Sequence, residues 1–588
     1  MQGEVMARRR SGDELLPRDL PSGRELLDEG RKIAGTFDVG RSLICREFGA
    51  TSEADYKKKM TAEGRIMTCM NIGCQTWAET EKGLHYVWEE SAKKGFRIDR
   101  FTFQLDRRMG IPPELWSRAA KETGPLLVTD ADWMGTANTV PIQPGLGDMM
   151  IGSPMSVANA VRALQAGVYY IGNMSQFSWD YPAWEGTDVD QMCEMVKALG
   201  IMGAKSAQGA VVQSYLDDGF CGQFSDYASF IGWAMFERYI VEELIGGQLS
   251  ASWGGLTHNP VQKSAVTMAL EAVKPPGRVT AFYHCDTTHF TKDIQRNYAA
   301  LTMDVLYLVL TEMRLKTGAA VLPIPVTEAF RVPSLDEIVE VHNISRKIIE
   351  DAPRLMPTIN WEPIEAERDR LVLDGRRFYA NIMKGLPELG VDMQDPLQIL
   401  LAIRRLGAVE IERRFGAGQQ PDGEVEQYKP VAPTDTWRDY IERRDSVRKK
   451  IDERGTAIMR PMKVVVGSTD IHEFGLHLVT SALEAMGLTP VVAGVDVDPR
   501  EFAELAERER AKAILVSTHN GMALTYSQQL LAEMKARNLS ATVLMGGKLN
   551  QDVEGQDVPV DVSEDLEKLG IRVCQDIDDL FPMLQSVV

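Results

Sequence analysis

Residues 462–475, MKVVVGSTDIHEFG, join a short apolar run to a loop with the pattern Asp470-x-His472-x-x-Gly475. The three consecutive valines predict a buried β-strand, and the polar residues after them fall at its carboxyl end. Short apolar runs and helical stretches then alternate through 461–588, which predicts about five parallel strands with intervening helices. This rhythm is typical of a flavodoxin-like, doubly wound sheet, whose ligands bind outside the carboxyl ends of the strands.

Small side chains follow two later strands of the same domain. Ser517 and Thr518 come after one apolar run, and Gly546 and Gly547 come after the next. Together with the loop, these residues would line one edge of the sheet. The combination resembles the B12-binding domain shared by adenosylcobalamin mutases and cobalamin methyltransferases.

The resemblance implies cobalamin as the cofactor and His472 as the lower ligand of its cobalt, the metal-binding residue of the chain. A histidine ligand is neutral, and a second partner usually fixes its tautomer, which Asp470 can do. Gly475 leaves room for the nucleotide tail of the cofactor. Small residues at the strand ends would cover that tail, namely Ser517, Thr518, Gly546 and Gly547.

The first half of the chain shows a similar alternation. Between RIMTCMNIG and GAAVLPIPVTEAF, about eight strand candidates alternate with helices. Eight βα units favour a closed (β/α)8 TIM barrel over 61–334, with the active site at the carboxyl ends of the strands. Residues 1–60 predict a helical N-terminal arm, and 335–460 predict a helical connector with an exposed linker at GAGQQPDGEVEQYKPVAPTD, which joins the barrel to the domain at 461–588.

Composition narrows the functional classes. A net charge of −19 makes nucleic acid an unsuitable partner, so a small-molecule substrate is expected. The chain has no apolar run long enough to span a membrane, and its seven scattered cysteines fit a reducing compartment. These features predict a cytoplasmic enzyme.

The barrel resembles the large subunit of glutamate mutase, with the small B12 subunit fused into one chain, and the whole chain resembles the related 2-methyleneglutarate and methylmalonyl-CoA mutases. In this resemblance His284 is a strand-end histidine and Glu328 binds the adenosyl ribose of the cofactor. The matching positions in GSPMSVANAVRALQAGVYYIGNMSQFSWDYP are Gly152, Ser153, Pro154, Gly167, Ser178 and Pro182.

Departures from glutamate mutase bear on the substrate. Ile72 and Met150 stand where that family has two substrate-binding arginines, and Arg107 or its neighbour Arg108 stands for the third. A substrate-binding glutamate is replaced by Asn173 or by the preceding glycine. We therefore expect a substrate less acidic than glutamate, contacted by four candidate catalytic residues: Arg107, Asn173, Asp180 and His284.

Two groups of residues allow more than one interpretation. Trp179, Tyr181 and Trp184 flank Asp180, so they could surround an aromatic or cationic group or simply pack at the barrel mouth. His284, Asp286 and His289 have a spacing that could hold a metal, although hydrogen bonding in a pocket is the stronger interpretation.

The resemblance implies an adenosylcobalamin-dependent carbon-skeleton mutase, an isomerase in which a 5′-deoxyadenosyl radical starts a 1,2-rearrangement of a small acid. The alternative is a corrinoid methyltransferase, in which residues 335–455 would cap methylcobalamin. A B12-dependent sensor is a third class, against which the catalytic-looking barrel argues. Analogy with related mutases allows a homodimer and a reactivating chaperone as partners.

Overall fold

A computed structural model gives the structure of this chain. The residues that it describes are 15–103, 105–119, 124–181, 183–217, 219–291, 293–328, 332–420, 428–453, 462–469, 473–495, 497–518, 521–551, 553 and 560–587. Within these ranges, no helix combines the length and the apolar character needed to cross a lipid bilayer. The residues form an N-terminal unit, a connecting helix and a C-terminal domain.

Parallel strands form the centre of the N-terminal unit, which confirms the predicted parallel α/β class. They are β1 (Met67–Ile72), β2 (Arg100–Phe103), β3 (Gln143–Gly145), β4 (Tyr170–Ile171), β5 (Val211–Tyr215), β6 (Leu249–Ser252), β7 (Phe282–His284) and β8 (Ala320–Leu322). β3, β2, β1, β8 and β7 pair in that order, and β4, β5 and β6 form a second set. Two further parallel bridges, Leu146 with Ile171 and Trp253 with Tyr283, connect the two sets at both edges. The pairings therefore return to β1.

Helices follow most of these strands and cover them. They are α1 (Gly23–Ala34), α2 (Leu43–Glu47), α3 (Glu53–Ala62), α4 (Trp77–Lys93), α5 (Asp130–Asn138), α6 (Ser156–Ala166), α7 (Asp188–Ala204), α8 (Tyr227–Arg238), α9 (Pro260–Ala272), α10 (Ile294–Leu315), α11 (Leu335–Leu355), α12 (Glu362–Glu388), α13 (Pro396–Leu406) and α14 (Ala408–Phe415). Many begin at a side-chain cap. At α4, for example, Thr76 and Glu79 form a reciprocal capping box.

The described part of 1–60 packs against the N-terminal unit and does not project from it as an arm. Helix α1 lies against α7. Helix α3 places Glu53 and Lys57 in the interior, where both side chains are almost fully buried. Glu53 pairs with Arg100 of β2 at 3.0 Å, so this helix closes the amino-terminal end of the strands with charged groups.

Part of the predicted linker is attached to the N-terminal unit. Residues 428–434 are attached to the N-terminal unit by the buried Asp226, which accepts hydrogen bonds from Tyr428 Oη at 2.9 Å and from the Val431 and Ala432 amides at 2.7 and 3.1 Å. The sequence suggests an exposed segment because the segment is polar and Pro-rich. Its hydrogen-bond acceptor, Asp226, lies about 200 residues earlier in the chain, so no local pattern reveals the attachment. Residues 421–427 lie outside the described residues.

The C-terminal domain is a parallel sheet in the order β10-β9-β11-β12-β15, the 2-1-3-4-5 order of doubly wound folds. The strands are β9 (Lys463–Ser468), β10 (Thr489–Gly494), β11 (Ala513–Thr518), β12 (Thr542–Gly547) and β15 (Arg572–Cys574), with the antiparallel pair β13 (Asn550–Gln551) and β14 (Val560–Asp561) beside them. The helices are α15 (Asp435–Glu453), which precedes the domain, α16 (Glu473–Ala485), α17 (Pro499–Glu509), α18 (Ala523–Ala536), α19 (Ser563–Lys568) and α20 (Leu580–Gln585).

The valines of β9 pack against helices on both faces of the sheet. Val465 packs in one apolar cluster with residues of α17 and α18, and Val464 and Val466 pack in another with residues of α15, α16 and α20. A central parallel strand buries alternate side chains on opposite faces, so it needs a continuous apolar run. The carboxyl ends of these strands remain to form the candidate site.

Candidate functional site

The small residues predicted at the strand ends of the C-terminal domain lie together. Ser517 pairs with Gly546 and Thr518 pairs with Gly547, at the carboxyl ends of β11 and β12. Ser517 also pairs with Ser468 at the end of β9. The structure therefore places four of the predicted cofactor-binding residues on one edge of the sheet.

Gly475 reaches the same edge from the first turn of α16. A Cβ atom at this glycine would lie 3.1 Å from Ser517 Oγ. Any side chain here would therefore narrow the space between α16 and β11. His472, the predicted cobalt ligand, and Asp470, predicted to orient it, lie outside the described residues.

Backbone geometry requires glycine at position 547. Its φ angle is +101°, and a Cβ would lie 2.3 Å from the Thr518 carbonyl oxygen. The buried Thr518 hydroxyl is 2.9 Å from that of Thr469, and the Thr518 carbonyl accepts a hydrogen bond from the Lys548 amide at 2.7 Å. Thr469 belongs to the site but was not predicted, although it immediately precedes the loop motif.

In the N-terminal unit, Asn173 and Asp180 lie in the segment that follows β4. The Asn173 side-chain oxygen accepts hydrogen bonds from the Ser175 amide at 3.2 Å and from the Tyr215 amide at 3.0 Å. Asp180 is half-exposed and pairs with Arg404 of α13 at 2.7 Å. Asn173 thus ties the ends of β4 and β5 together, while Asp180 faces solvent.

The two candidate arginines lie in different surroundings. Arg108 makes a two-point contact with Asp106, with Nε 2.9 Å from Oδ1 and Nη2 2.7 Å from Oδ2. Such a bidentate pair holds the guanidinium firmly. Arg107 is buried and lies beside Asp180, whose carbonyl is 3.4 Å from Nη2. Arg108 is thus paired with Asp106, whereas Arg107 lies in the interior next to the segment after β4.

His284 is buried at the end of β7. Its Nδ1 lies 2.6 Å from the Cys285 carbonyl, so Nδ1 carries the proton and Nε2 is left as an acceptor. The ring packs against Tyr215, with 5.5 Å between the ring centroids. Burial lowers the pKa of His284 to about 4, which keeps the imidazole neutral at physiological pH.

Asp286 and His289, which follow His284 in the sequence, take part in hydrogen bonds. His289 lies between two carboxylates, with Nδ1 3.1 Å from Asp286 and Nε2 2.8 Å from Asp439 of α15. Among the described residues, no group of three or more His, Cys, Asp or Glu side chains is arranged to hold a metal ion. Hydrogen bonding is the role that the geometry gives to Asp286 and His289.

Packing accounts for two of the aromatic residues beside Asp180. Trp179 and Tyr181 are 7% and 6% exposed, respectively. A Cβ at Gly110 would overlap the ring of Tyr181, and one at Gly219 would overlap that of Trp179. Glu328 follows β8 and is half-buried, with its amide donating to the Pro325 carbonyl at 3.0 Å.

Known proteins resemble the C-terminal domain. The B12 binding domain family matches residues 462–563. A glutamate mutase sigma subunit 2 from Haloarcula marismortui is 32% identical over 112 residues, which cover 19% of this chain and 74% of the relative. The chain belongs to the B12-binding family.

A second relative has a lower sequence identity. An ethylmalonyl-CoA mutase from Cereibacter sphaeroides is 26% identical over 147 residues, which are 25% of this chain and 21% of that enzyme. The chain thus spans about a fifth of this relative's length. Two solved structures are also similar. A cobalamin-binding protein from Desulfitobacterium hafniense DCB-2 has 19% identity and a TM-score of 0.20, and the match covers 26% of this chain and 70% of that one. The monomethylamine corrinoid protein of Methanosarcina barkeri has 14% identity and a TM-score of 0.19, and the match covers 42% of this chain and 91% of that one.

Two carboxyl groups in the N-terminal unit of this B12-binding protein were not predicted as site residues. Asp148 follows β3 and is held by Gln176 Nε2 at 3.0 Å. Asp217 follows β5 and accepts hydrogen bonds from the Gly254 and Gly255 amides. Burial raises the pKa of each carboxyl to about 6. Their position two or three residues after the end of a strand is a signal that the sequence does contain.

Proposed function

We propose that the protein is an adenosylcobalamin-dependent carbon-skeleton mutase that performs a 1,2-rearrangement on a small acid other than glutamate. The observation that carries this proposal is a B12-binding domain, similar to the glutamate mutase sigma subunit, in one chain with the eight parallel strands β1 to β8. We infer that the cyclic pairing of those strands is a (β/α)8 barrel, whose active site lies at the strand carboxyl ends.

The residues at the edge of the C-terminal sheet suit a cobalamin tail. Gly475 and Ser517 leave a gap in which even one additional carbon atom would be in tight contact. Gly546 and Gly547 continue this row of small residues. His472 would be the cobalt ligand and Asp470 would orient it, in keeping with the histidine-carboxylate pairs of other metal sites. When bound, adenosylcobalamin supplies the radical that starts the rearrangement.

Binding and orienting the substrate would fall to the N-terminal unit. Arg107 would bind a carboxylate, and neutral His284 would accept a hydrogen bond at Nε2. Asn173 would position the segment after β4, Asp180 would lie at the rim, and Glu328 would hold the adenosyl ribose. The apolar, buried Ile72 and Met150 supply no further cation, which supports an acid with fewer charges than glutamate.

An anaerobic titration tests the function directly. The protein is mixed with adenosylcobalamin and a panel of small amino and carboxylic acids that includes glutamate, and absorption and EPR spectra are recorded. A cob(II)alamin–organic radical signal that depends on one of the acids supports the mutase. Tight binding of methylcobalamin with methyl transfer and no radical would instead favour the methyltransferase.

The His472→Ala variant tests the cofactor site. Loss of the cobalt ligand should weaken cobalamin binding by at least about tenfold, the range seen when metal-site partners are removed. His85→Ala is the matched control, because His85 is exposed on α4. The EPR spectrum of the cob(II)alamin form checks the ligand: labelling the protein with 15N-histidine should change the nitrogen splitting in the unmutated protein and in His85→Ala, but not in His472→Ala. Equal affinity and identical spectra in both variants would refute the assignment.

A further inference from the structure

Helix α15 contacts both halves of the molecule. Its amino-terminal end is attached to the loops at the carboxyl ends of β6 and β7. Asp435 accepts hydrogen bonds from the His258 and Asn259 amides at 3.0 and 3.2 Å. One turn later, Asp439 lies 2.8 Å from His289 Nε2. The start of α15 is therefore fixed beside the candidate substrate site.

The rest of α15 packs against the B12-binding domain. Val447 and Ile451 are buried in the same apolar cluster as Leu476 and Leu483 of α16. The rings of Tyr440 and His477 meet edge to face with centroids 6.3 Å apart, and Lys450 pairs with Asp578 at 2.8 Å. Because α16 begins at the residue after His472, α15 joins the site in the N-terminal unit to the helix that follows the expected cobalt ligand.

The contact between His289 and Asp439 depends on the charge of the histidine. Asp286 lies 3.1 Å from Nδ1 while Asp439 lies 2.8 Å from Nε2, and only an imidazolium donates from both nitrogens. The Thr288 hydroxyl and the His258 ring also face the His289 ring, with 3.8 Å between the two ring centroids. Asp435 lies behind them, 3.1 Å from His258 Nδ1. Loss of the proton would leave one carboxylate facing a lone pair.

A series of contacts continues inward from Asp286 to His284. The Asp286 amide donates to Asp304 at 2.6 Å, and Asp304 pairs with Lys263 at 2.7 Å. The Lys263 ammonium donates in turn to the His284 carbonyl at 3.2 Å. Asp286, which contacts His289, is thus connected through Asp304 and Lys263 to the backbone of His284.

We propose that His289 is a positioning residue: through Asp439 it fixes α15, and with it the B12-binding domain, against the carboxyl ends of the strands. Its effect on catalysis rests on the proposed function, whereas its effect on α15 does not. The protonated His289 would hold the two halves in the arrangement in which the cofactor site faces the substrate site.

Hydrogen exchange of the full-length protein tests the attachment. In His289→Gln and Asp439→Asn, the backbone amides of α15 should exchange about tenfold faster, the factor expected when a charged hydrogen bond is lost. The controls are His85→Gln, on the exposed face of α4, and Asp445→Asn, an exposed residue of α15 that pairs with its neighbour Arg444. Faster exchange in the first pair alone supports the proposal, and equal exchange in all four variants overturns it.

The pH dependence of the unmutated protein provides a second measurement. Burial opposes the charge on His289, but the Asp286 and Asp439 carboxylates outweigh it and hold the pKa above its usual 6.5. The attachment should therefore be complete below pH 6.5 and weaken as the pH rises through the raised pKa. Exchange of α15, corrected for its intrinsic pH dependence, should rise in that range and stay flat in His289→Gln. A flat profile in the unmutated protein would overturn the proposal even if the variants fail to fold.

Activity separates this inference from the proposed function. If a substrate is found, His289→Gln should lower kcat more than it raises KM, since it moves the cofactor and leaves the substrate contacts in place. If no acid produces a radical but α15 exchanges faster in the two variants, the mutase proposal fails and the positioning role of His289 stands. A large effect on KM with unchanged exchange would contradict the positioning role.

Discussion

At the scale of single residues, Gly547 shows how the backbone itself limits the sequence. Replacing it with alanine should destabilise the C-terminal domain by about 2 kcal/mol or more, because the left-handed φ is strained for alanine and the new Cβ would overlap the Thr518 carbonyl. Urea unfolding followed by circular dichroism measures the change.

A second glycine separates these two causes. Gly570 has a φ of +85°, but a Cβ added there would meet no atom within 4 Å among the described residues. Gly570→Ala should therefore cost only about 1 kcal/mol, the part due to the backbone conformation. If both variants lose the same stability, the contact with Thr518 contributes nothing.

The charge of His284 is a second residue-scale property. Because burial lowers its pKa to about 4, the unfolded chain takes up a proton below pH 6.5 that the folded protein does not, and His284 should favour unfolding as the pH falls from 6.5 towards 4. Histidine-selective NMR labelling should reveal a ring signal, absent in His284→Gln, that stays neutral to about pH 4. A midpoint near 6.5 would contradict the buried, neutral state.

At the scale of elements, helix α3 is held by charges in the interior. Glu53 lies 3.0 Å from Arg100 and 3.5 Å from Lys57, and all three side chains are nearly inaccessible. Glu53→Gln would leave two buried cations without their carboxylate, so it should cost about 3 to 5 kcal/mol. The free energy of unfolding of the N-terminal unit in urea measures this loss.

The control on the same helix is Asp55→Asn. Asp55 pairs with Lys59 at 3.3 Å, but both side chains are partly exposed, and such surface pairs contribute at most about 1 kcal/mol. A similar loss in both variants would mean that burial does not strengthen the contribution of Glu53.

At the scale of the whole molecule, cobalamin should stabilise one part of the chain more than the other. The apolar clusters of the C-terminal domain are separate from the large cluster of the N-terminal unit. Cobalamin at 100 times its Kd adds about 2.7 kcal/mol to the domain that binds it, which corresponds to a shift in Tm of roughly 10 °C. Calorimetry with and without hydroxocobalamin should show one transition move and the other stay. If both move equally, the two halves unfold as one cooperative unit.

The predictable part of the site follows from local patterns. The valines of β9 identify a buried parallel strand, and neighbouring parallel strands end at the same edge. Ser517, Thr518, Gly546 and Gly547 could therefore be placed together without coordinates, and the structure brings them there. The parallel α/β class follows in the same way from the alternation of apolar runs and helical stretches.

Contacts between distant parts of the chain could not be predicted in this way. His289 and Asp439 are 150 residues apart, and no local pattern indicates that they meet. The same is true of Asp226, which binds the segment that the sequence alone suggests is an exposed linker. Local periodicity and motifs determined the parallel α/β class and the residues that meet at the carboxyl edge of the C-terminal sheet, because these depend on neighbouring residues. Only the tertiary structure decided how α15 joins the two halves, because that depends on which charges the folded chain brings within hydrogen-bonding distance.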